Sequence, residues 1–236
     1  MLRSVMKKKN WLRKGIMAAA LAGITCGSAC MLFCTSSASA AAGEAISLPA
    51  PETSSGVSVM QALQQRKSSR QFADTSLSER QLSLILWAAN GVNRPQEGKR
   101  VNPAARRIYN VDVYAVLPDG IYLYQPETHA LAPVYAGDFR PSLSKKPSYV
   151  QTAPLTLIYV ANPVPPRDPA KPENPAMQAA SDNIVAGAMT QSVSLLAAAE
   201  NLGTCVRGSF DRDAFRKAAA LTDQKVLISQ TVGVLP

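Results

Sequence analysis

The 236-residue sequence predicts an α+β fold. Segments with helical periodicity are mixed with short strand-like runs, and no regular strand–helix–strand rhythm links them. Two of the strand-like runs, 111–117 and 121–124, flank Pro118-Asp119-Gly120, which reads as a turn closing an antiparallel hairpin. About 196 residues follow the first forty, ample for one domain with its own core.

The first forty residues read as an address. Arg3, Lys7, Lys8, Lys9, Arg13 and Lys14 form a basic start, a charge-free run extends from Gly15 to Gly43, and Ala38-Ser39-Ala40 has the small-x-small pattern of a signal-peptidase site. The expected boundaries are a signal peptide over 1–40, a linker over 41–56 and a folded domain over 57–236. The competing reading is an uncleaved membrane anchor. Thr25, Gly27, Ser28 and Thr35 to Ser37 dilute the apolar run, whereas a span wants about 20 strongly apolar residues. The sequence therefore predicts export, to the periplasm in the first instance. Cleavage would remove six positive charges and no negative one, taking the net charge from +9 to about +3. That leaves no dense basic footprint for nucleic acid. Cys26, Cys30 and Cys34 would leave with the signal, and Cys205 alone cannot form an internal disulfide.

Within the domain a first helix is expected from Val57 to Arg66, and Ser68 to Phe72 should be extended. Ser78 and Gln81 spell a capping box for a second helix with an apolar stripe of Leu82, Ile85, Leu86 and Ala89, ended by Gly91. Residues 154–160 form a continuous apolar strand. Prolines at 163, 165, 166, 169, 172 and 175 predict a stiff, extended loop. A long helix should run from Asp182 to Leu202 with Ile184, Ala188, Gln191, Leu195 and Ala198 sharing a face and Gly203 as its stop. Asp211 can cap a short helix through Ala220, and 226–235 closes the chain as a strand.

Absences narrow the chemistry. His129 is the only histidine and sits in a polar turn, where a solvated role is expected. A Ser-His-Asp triad would have to use it, a zinc site would need more nitrogen and sulfur ligands, and no GxGxxG or P-loop pattern occurs. A redox or transfer reaction would need a borrowed cofactor. The strongest local signal is Arg66-Lys67-Ser68-Ser69-Arg70. In an extended chain, side chains two apart face the same way, so Arg66, Ser68 and Arg70 would present two guanidinium forks and a hydroxyl to a phosphate. The same run, taken alone, also describes a solvated helix end.

Arg66-Lys67-Ser68-Ser69-Arg70-Gln71-Phe72 resembles the RRSxRxF opening of the nitroreductase superfamily. Leu86 to Arg94 is similar to the LLWAAxGxNR run of the branch that includes azoline (thiazole/oxazole) dehydrogenases, and Asn102 to Tyr109 sits where that branch carries PSAxxxYP. Ala186 to Leu195, Asn201 to Gly208 and Thr231 to Pro236 resemble its AGxxxQNxxL, LGLGTxxxGxF and VGYP segments. Order and spacing are kept from 57 to 236. The resemblance implies a mostly antiparallel central sheet flanked by helices and a homodimer with FMN at its interface. It further implies a ping-pong transfer of hydride through flavin N5 from NAD(P)H to a quinone, nitro or unsaturated acceptor. By matching position it implies that Arg66, Lys67, Ser68 and Arg70 hold the phosphate and ribityl chain, and that Pro103, Ala104 and Ala105 lie along the flavin. Gln191 would face the cofactor, and the backbone of Arg207 and Gly208 would approach N5 or O4. It names no catalytic side chain and no metal ligand. Ala104 stands where the motif has serine. The sequence ends at Pro236 where many members carry a basic tail, which shifts the burden to Arg66 and Arg70. Two other readings stay open: a flavin-binding or sensing envelope protein without turnover, and a purely structural one.

Overall fold

The computed structural model describes residues 44–54, 57–146, 148–166, 168 and 174–236. The chain divides into two compact units, 1–38 and 39–236, and the first, with the expected signal peptide, lies outside the described residues. In chain order the elements of the second unit are β1 (Ile46–Ser47), α1 (Val59–Gln65), α2 (Glu79–Asn90), β2 (Val92–Arg94), β3 (Lys99–Arg100), β4 (Val111–Leu117), β5 (Gly120–Gln125), β6 (Ala130–Ala136), β7 (Leu155–Ala161), α3 (Pro175–Ala199), β8 (Leu202–Arg207), α4 (Arg212–Ala218) and β9 (Lys225–Val234), with short 3-10 turns between some of them. Seven strands form one sheet in the order β1-β6-β5-β4-β7-β9-β8, and every neighbouring pair is antiparallel. The small β2–β3 hairpin stands apart from it.

Both faces of the sheet are covered, as the α+β expectation requires. On one face Val111, Val113, Ala115, Leu155, Leu157, Tyr159 and Val232 pack against Ile85, Leu86 and Ala89 of α2 and Val185, Met189, Val193 and Ala197 of α3. On the other, Tyr114, Val116, Ile158 and Val160 meet Phe139, Leu143, Val150 and Phe215, contributed by the 139–150 segment and α4. The central strands β4 and β7 are buried on both faces, so their sequences read as nearly continuous apolar runs.

The helix ends follow local chemistry. Ser78 caps α2 and exchanges hydrogen bonds with Gln81 as the capping box predicts. The helix of the 57–66 segment starts two residues later than expected, because Ser58 and Gln61 make a second capping box. The long helix differs more. It begins at Pro175, seven residues before Asp182, with Asn174 as its cap and the last proline of the loop at a first-turn position that needs no N–H donor. It ends at Ala199, and Asn201, at φ 55°, takes the left-handed position assigned to Gly203. Its buried face carries Asp182, Val185, Ala186, Met189, Thr190, Val193, Ser194 and Ala197, while Ile184 and Gln191 are exposed. The face shared by Ile184, Ala188, Gln191, Leu195 and Ala198 is thus the less buried one. Small residues occur all round this helix, so its apolar periodicity is weak and the stripe could be drawn on either side.

Five strands escaped the sequence, β2 and β3 of the small hairpin and three of the large sheet. β1 lies inside the expected linker and pairs with β6. β6 contains Pro133, which argues against a strand, yet the register shifts between Ile121 and Tyr122 in the partner at that point and accommodates it. β8 contains Gly203 and is six residues long. His129 is also not solvated. Its backbone is left-handed at φ 50°, and its ring is half-buried between Ser83 (Nε2 to Oγ, 2.8 Å), the Pro49 carbonyl (3.1 Å) and Tyr124 (Nδ1 to the hydroxyl, 2.8 Å). No helix among the described residues is long and apolar enough to cross a membrane.

Candidate functional site

The basic run leaves α1 at Arg66 and becomes extended, as its sequence predicts. Ser68 forms a parallel bridge with Thr204 on the outer edge of β8, and the Ser69 amide donates to the Thr204 carbonyl at 2.8 Å. Farther along, the Ala73 amide donates to the Val234 carbonyl at 2.9 Å. The segment is therefore an appended strip on the β8 edge.

Two glycines make this docking possible. Gly203 and Gly233 are register partners on β8 and β9. A Cβ on Gly203 would come within 2.8 Å of Leu235, 3.0 Å of the Ser69 Cβ and 3.1 Å of the Phe72 ring, and one on Gly233 within 2.8 Å of Phe72 and 2.9 Å of Pro154. The bare backbone at both positions lets the Phe72 ring lie flat against the sheet, and Phe72 fixes the strip on which the cations stand.

Alternation then sorts the side chains. Lys67 and Ser69 line a cavity of about 360 Å³ together with Ser194, Ala198, Asn201 and Thr204. Arg66, Ser68 and Arg70 do not line it. Arg70 lies close enough to Tyr149 to act on its phenol, and so does Arg207, whose guanidinium sits 5.8 Å from the Tyr149 ring centre and donates to the Ser148 hydroxyl at 3.0 Å. The Tyr149 hydroxyl donates to the Cys205 sulfur at 3.3 Å. Burial, reinforced by that bond, pushes the Tyr149 phenol up, and the two arginines pull it down. Cys205 is buried.

Several arginines elsewhere on the surface are already committed. Arg80 is held by Glu52 and Glu200, Arg100 by Glu127 and Arg140 by Asp138, while Arg212 and Arg216 donate to backbone carbonyls. Among the described residues no carboxylate pairs with Arg66, Lys67, Arg70 or Arg207. Unpaired cations bunched on one edge repel one another and gain from an anion. The donor set therefore fits a phosphate-bearing cofactor. Arg66 to Arg70 spans roughly 13 Å of extended backbone, enough to follow a phosphate and the chain attached to it. At the end of β8, Gly208 is exposed, and a Cβ placed on it would meet nothing within 4 Å, so the backbone there is open to a planar group.

The other expected site residues are elsewhere. Pro103, Ala104 and Ala105 line a separate, mostly apolar groove of about 490 Å³ with Met177, Ser181, Ile184 and Val185 from the N-terminal half of α3. The buried Asn102 ties this loop down by donating to the Ala88 and Ala89 carbonyls at 2.7 and 2.9 Å and accepting from Ser192. Gln191 stands on the exposed face of α3. Ser148, Tyr149 and Phe72 support the site and were not picked from the sequence. Phe72 had a signal in its place at the end of the Arg66–Phe72 run, but the glycine pair it covers is joined by a strand pairing the sequence does not display. Among the described residues no cluster of His, Cys, Asp and Glu could hold a metal ion.

A large antiparallel sheet covered on both faces, with a cationic strip on its edge, defines an α+β protein. The model of the nitroreductase family matches residues 63–234. The chain belongs to that family, and with it to the oxidoreductases. A crystal structure of a nitroreductase-type protein from Ralstonia eutropha JMP134 is 36% identical, covers 81% of this chain and 90% of its own and superposes with a TM-score of 0.73. A nitroreductase relative from Methanocaldococcus jannaschii is 26% identical over 178 residues, 69% of this chain and 84% of the relative. The microcin synthetase McbBCD complex of E. coli contains the same fold at 20% identity, with a TM-score of 0.63 over 80% of this chain and 76% of that one.

Proposed function

We propose that this protein is an FMN-dependent oxidoreductase that works as a homodimer. The observation that carries the reading is the strip Arg66–Arg70, with three cations and no carboxylate partner, docked on the open edge of β8. Arg66, Ser68 and Arg70 would hold the phosphate and ribityl chain, with Lys67 contributing charge from the other side of the strip. The backbone of Arg207 and Gly208 would lie against the ring system. FMN, when bound, supplies the two-electron chemistry, taking a hydride from NAD(P)H or another donor and passing it to a quinone, nitro or unsaturated acceptor in two half-reactions. The protein's part is orientation and electrostatics. The paired Gly203 and Gly233 hold the strip in place, and the Ser148–Arg207–Tyr149 contacts fix one guanidinium beside the open backbone.

The need for a second chain has its own support. Pro103 to Ala105 and the cationic strip line different cavities of one chain, so a site using both takes them from two copies. Val59, Met60 and Leu63 of α1 and Met177 and Ile184 of α3 are five of the eight large apolar side chains exposed among the described residues, which makes this surface the natural contact between copies. Gln191 lies on the same outward side of α3 and would face the cofactor across that contact.

The export reading rests on the basic start and the Ala38-Ser39-Ala40 ending. In that compartment the electron donor need not be a nicotinamide. The deciding experiment is an absorbance spectrum of the protein isolated from its host envelope, followed by an NAD(P)H-oxidation assay with a quinone. A yellow protein that turns over supports the proposal. A yellow protein inert with every donor favours the sensing role, and a colourless one that takes up no FMN refutes both.

A further inference from the structure

A second cavity, of about 660 Å³, opens beside the end of β8 and shares only Arg207 with the proposed cofactor site. Its walls are the turn Leu143 to Lys146 on one side and Arg207, Ser209 and Phe210 on the other, with the start of α4 closing it. The volume is that of an organic-ligand site. Leu143 and Phe210 supply apolar wall. Arg212 is stacked 4.5 Å over the Phe210 ring and commits two of its five N–H donors to the Val226 and Leu227 carbonyls, at 3.2 and 2.9 Å, so it is held against the wall.

The charges on this cavity are unequally committed. Asp211 caps α4 through the Ala214 amide at 3.0 Å, and its second oxygen lies 3.7 Å from Lys145. Asp213 is exposed on the helix. Arg207 is held in place by Ser148 and Tyr149, but its remaining guanidinium N–H groups have no protein acceptor among the described residues, and the Lys146 ammonium has no partner there either. A guanidinium that is positioned but unpaired is pre-organised for a carboxylate or sulfonate, because its fork matches two oxygens at once. The cavity also borders Gly208, where the backbone is open.

We propose that this cavity binds an anionic aromatic substrate, a ring bearing a carboxylate or sulfonate, with Arg207 as the anchor and Lys146 as a weaker second cation. Only the identification of this ligand as the electron acceptor rests on the oxidoreductase reading.

The test is calorimetric titration of the full purified protein with 4-nitrobenzoate and with its neutral analogue 4-nitrobenzamide. Wild type, Arg207→Gln, Lys146→Gln and, as a control for net charge, Lys225→Gln from a different cavity are compared. Wild type should bind the carboxylate roughly tenfold more tightly than the amide, the scale of one charge-assisted bond. Arg207→Gln should abolish that preference, Lys146→Gln should reduce it about two- to threefold, as an exposed charge does, and Lys225→Gln should leave it intact. Circular dichroism and flavin content accompany each variant. Because Lys146 is an exposed side chain, its variant still decides the matter if Arg207→Gln misfolds. Equal binding of the two probes by wild type, or an equal loss in the Lys225 control, overturns the proposal. So does displacement of nitrobenzoate by NADH with an NADH affinity that itself depends on Arg207, since the anion recognised would then be the donor's phosphate. A flavin-free or inactive protein that keeps the preference refutes the oxidoreductase reading alone. An active flavoprotein without it refutes this inference alone.

Discussion

At the residue scale, neighbours in sequence part company in role. Continuing the Ser68–Thr204 bridge along the strip sets Arg66 near Leu202 and Arg70 near Val206, and Arg70 shares Tyr149 with Arg207. In the proposed site the two arginines would therefore serve opposite ends of an elongated ligand. Arg66→Ala should weaken FMN binding about tenfold or more, from charge-assisted bonds worth about 1.5–3 kcal/mol, and should leave riboflavin binding nearly unchanged. Arg70→Ala should weaken both flavins, and Lys67→Gln should cost less than either because Lys67 lines the cavity on the other side. Fluorescence titration of the three variants with the two flavins checks this; an Arg66 variant that binds FMN like wild type places the phosphate elsewhere. His129 makes a different prediction. Burial holds its imidazole below the ordinary range, partly offset by the Pro49 carbonyl. A folded pKa below the unfolded one means that the neutral ring stabilises the fold. That contribution is present above the ordinary imidazole pKa and is lost as pH falls from there through the lowered value. Acidification below neutrality should then loosen the 46–52 segment, whose Leu48 amide bonds the His129 carbonyl at 3.1 Å. Hydrogen-exchange protection of Leu48 should fall with pH in wild type more than in His129→Gln, and protection that ignores pH would rule the latch out.

At the element scale, legibility followed how much of an element's chemistry is local. The α2 capping box, the β4–β5 hairpin and the extended Ser68–Phe72 strip were readable because caps, turn residues and alternation are written within a few positions. β8 was not, because LGTCVR becomes a strand only through pairing with β9, and its glycine looks like a helix stop until Phe72 is seen lying on it. The sequence left open which face of α3 is the outer one for a related reason. Alanine, glycine and serine on all sides leave the choice of face to tertiary packing. The candidate site residues were picked by position in a pattern, while the lack of carboxylate partners around the strip is visible only in three dimensions. The glycine pair carries the element-scale prediction. In Gly233→Ala the new methyl meets Phe72 and Pro154 at 2.8 and 2.9 Å, inside any normal contact distance. Overpacking of this kind costs about 1–3 kcal/mol. Thermal melts should show that loss, and FMN affinity should fall with it because the cationic strip is displaced. A variant with lowered stability and unchanged FMN affinity would separate the strip from the cofactor.

At the scale of the whole molecule, the sheet order puts β1 and β8 on opposite edges, with five strands and roughly 29 Å between them. The chain enters the domain at β1, stapled there by the β6 pairing and by Arg80, which holds Glu52 at 2.7 Å and Glu200 at 2.7 Å. The cationic strip lies on the far edge, and the Pro103–Ala105 loop packs against the other half of α3 from it. A second copy is what would complete the site, and Ile184 tests this cleanly. It is 72% exposed in one chain, so changing it leaves the monomer's core intact, yet it sits in the groove with Pro103, Ala104 and Ala105. If that groove is covered by a partner, burying Ile184 contributes about 2 kcal/mol, and replacing it by glutamate adds the cost of desolvating a carboxylate. Ile184→Glu should therefore raise the dimer dissociation constant by about a hundredfold or more. Light scattering should show monomer at concentrations where wild type is dimeric. The circular dichroism spectrum should be retained and flavin lost together with the dimer. A wild type that is monomeric with flavin fully bound would overturn the two-chain site, and an Ile184→Glu dimer that keeps its flavin would move the contact off this face of α3.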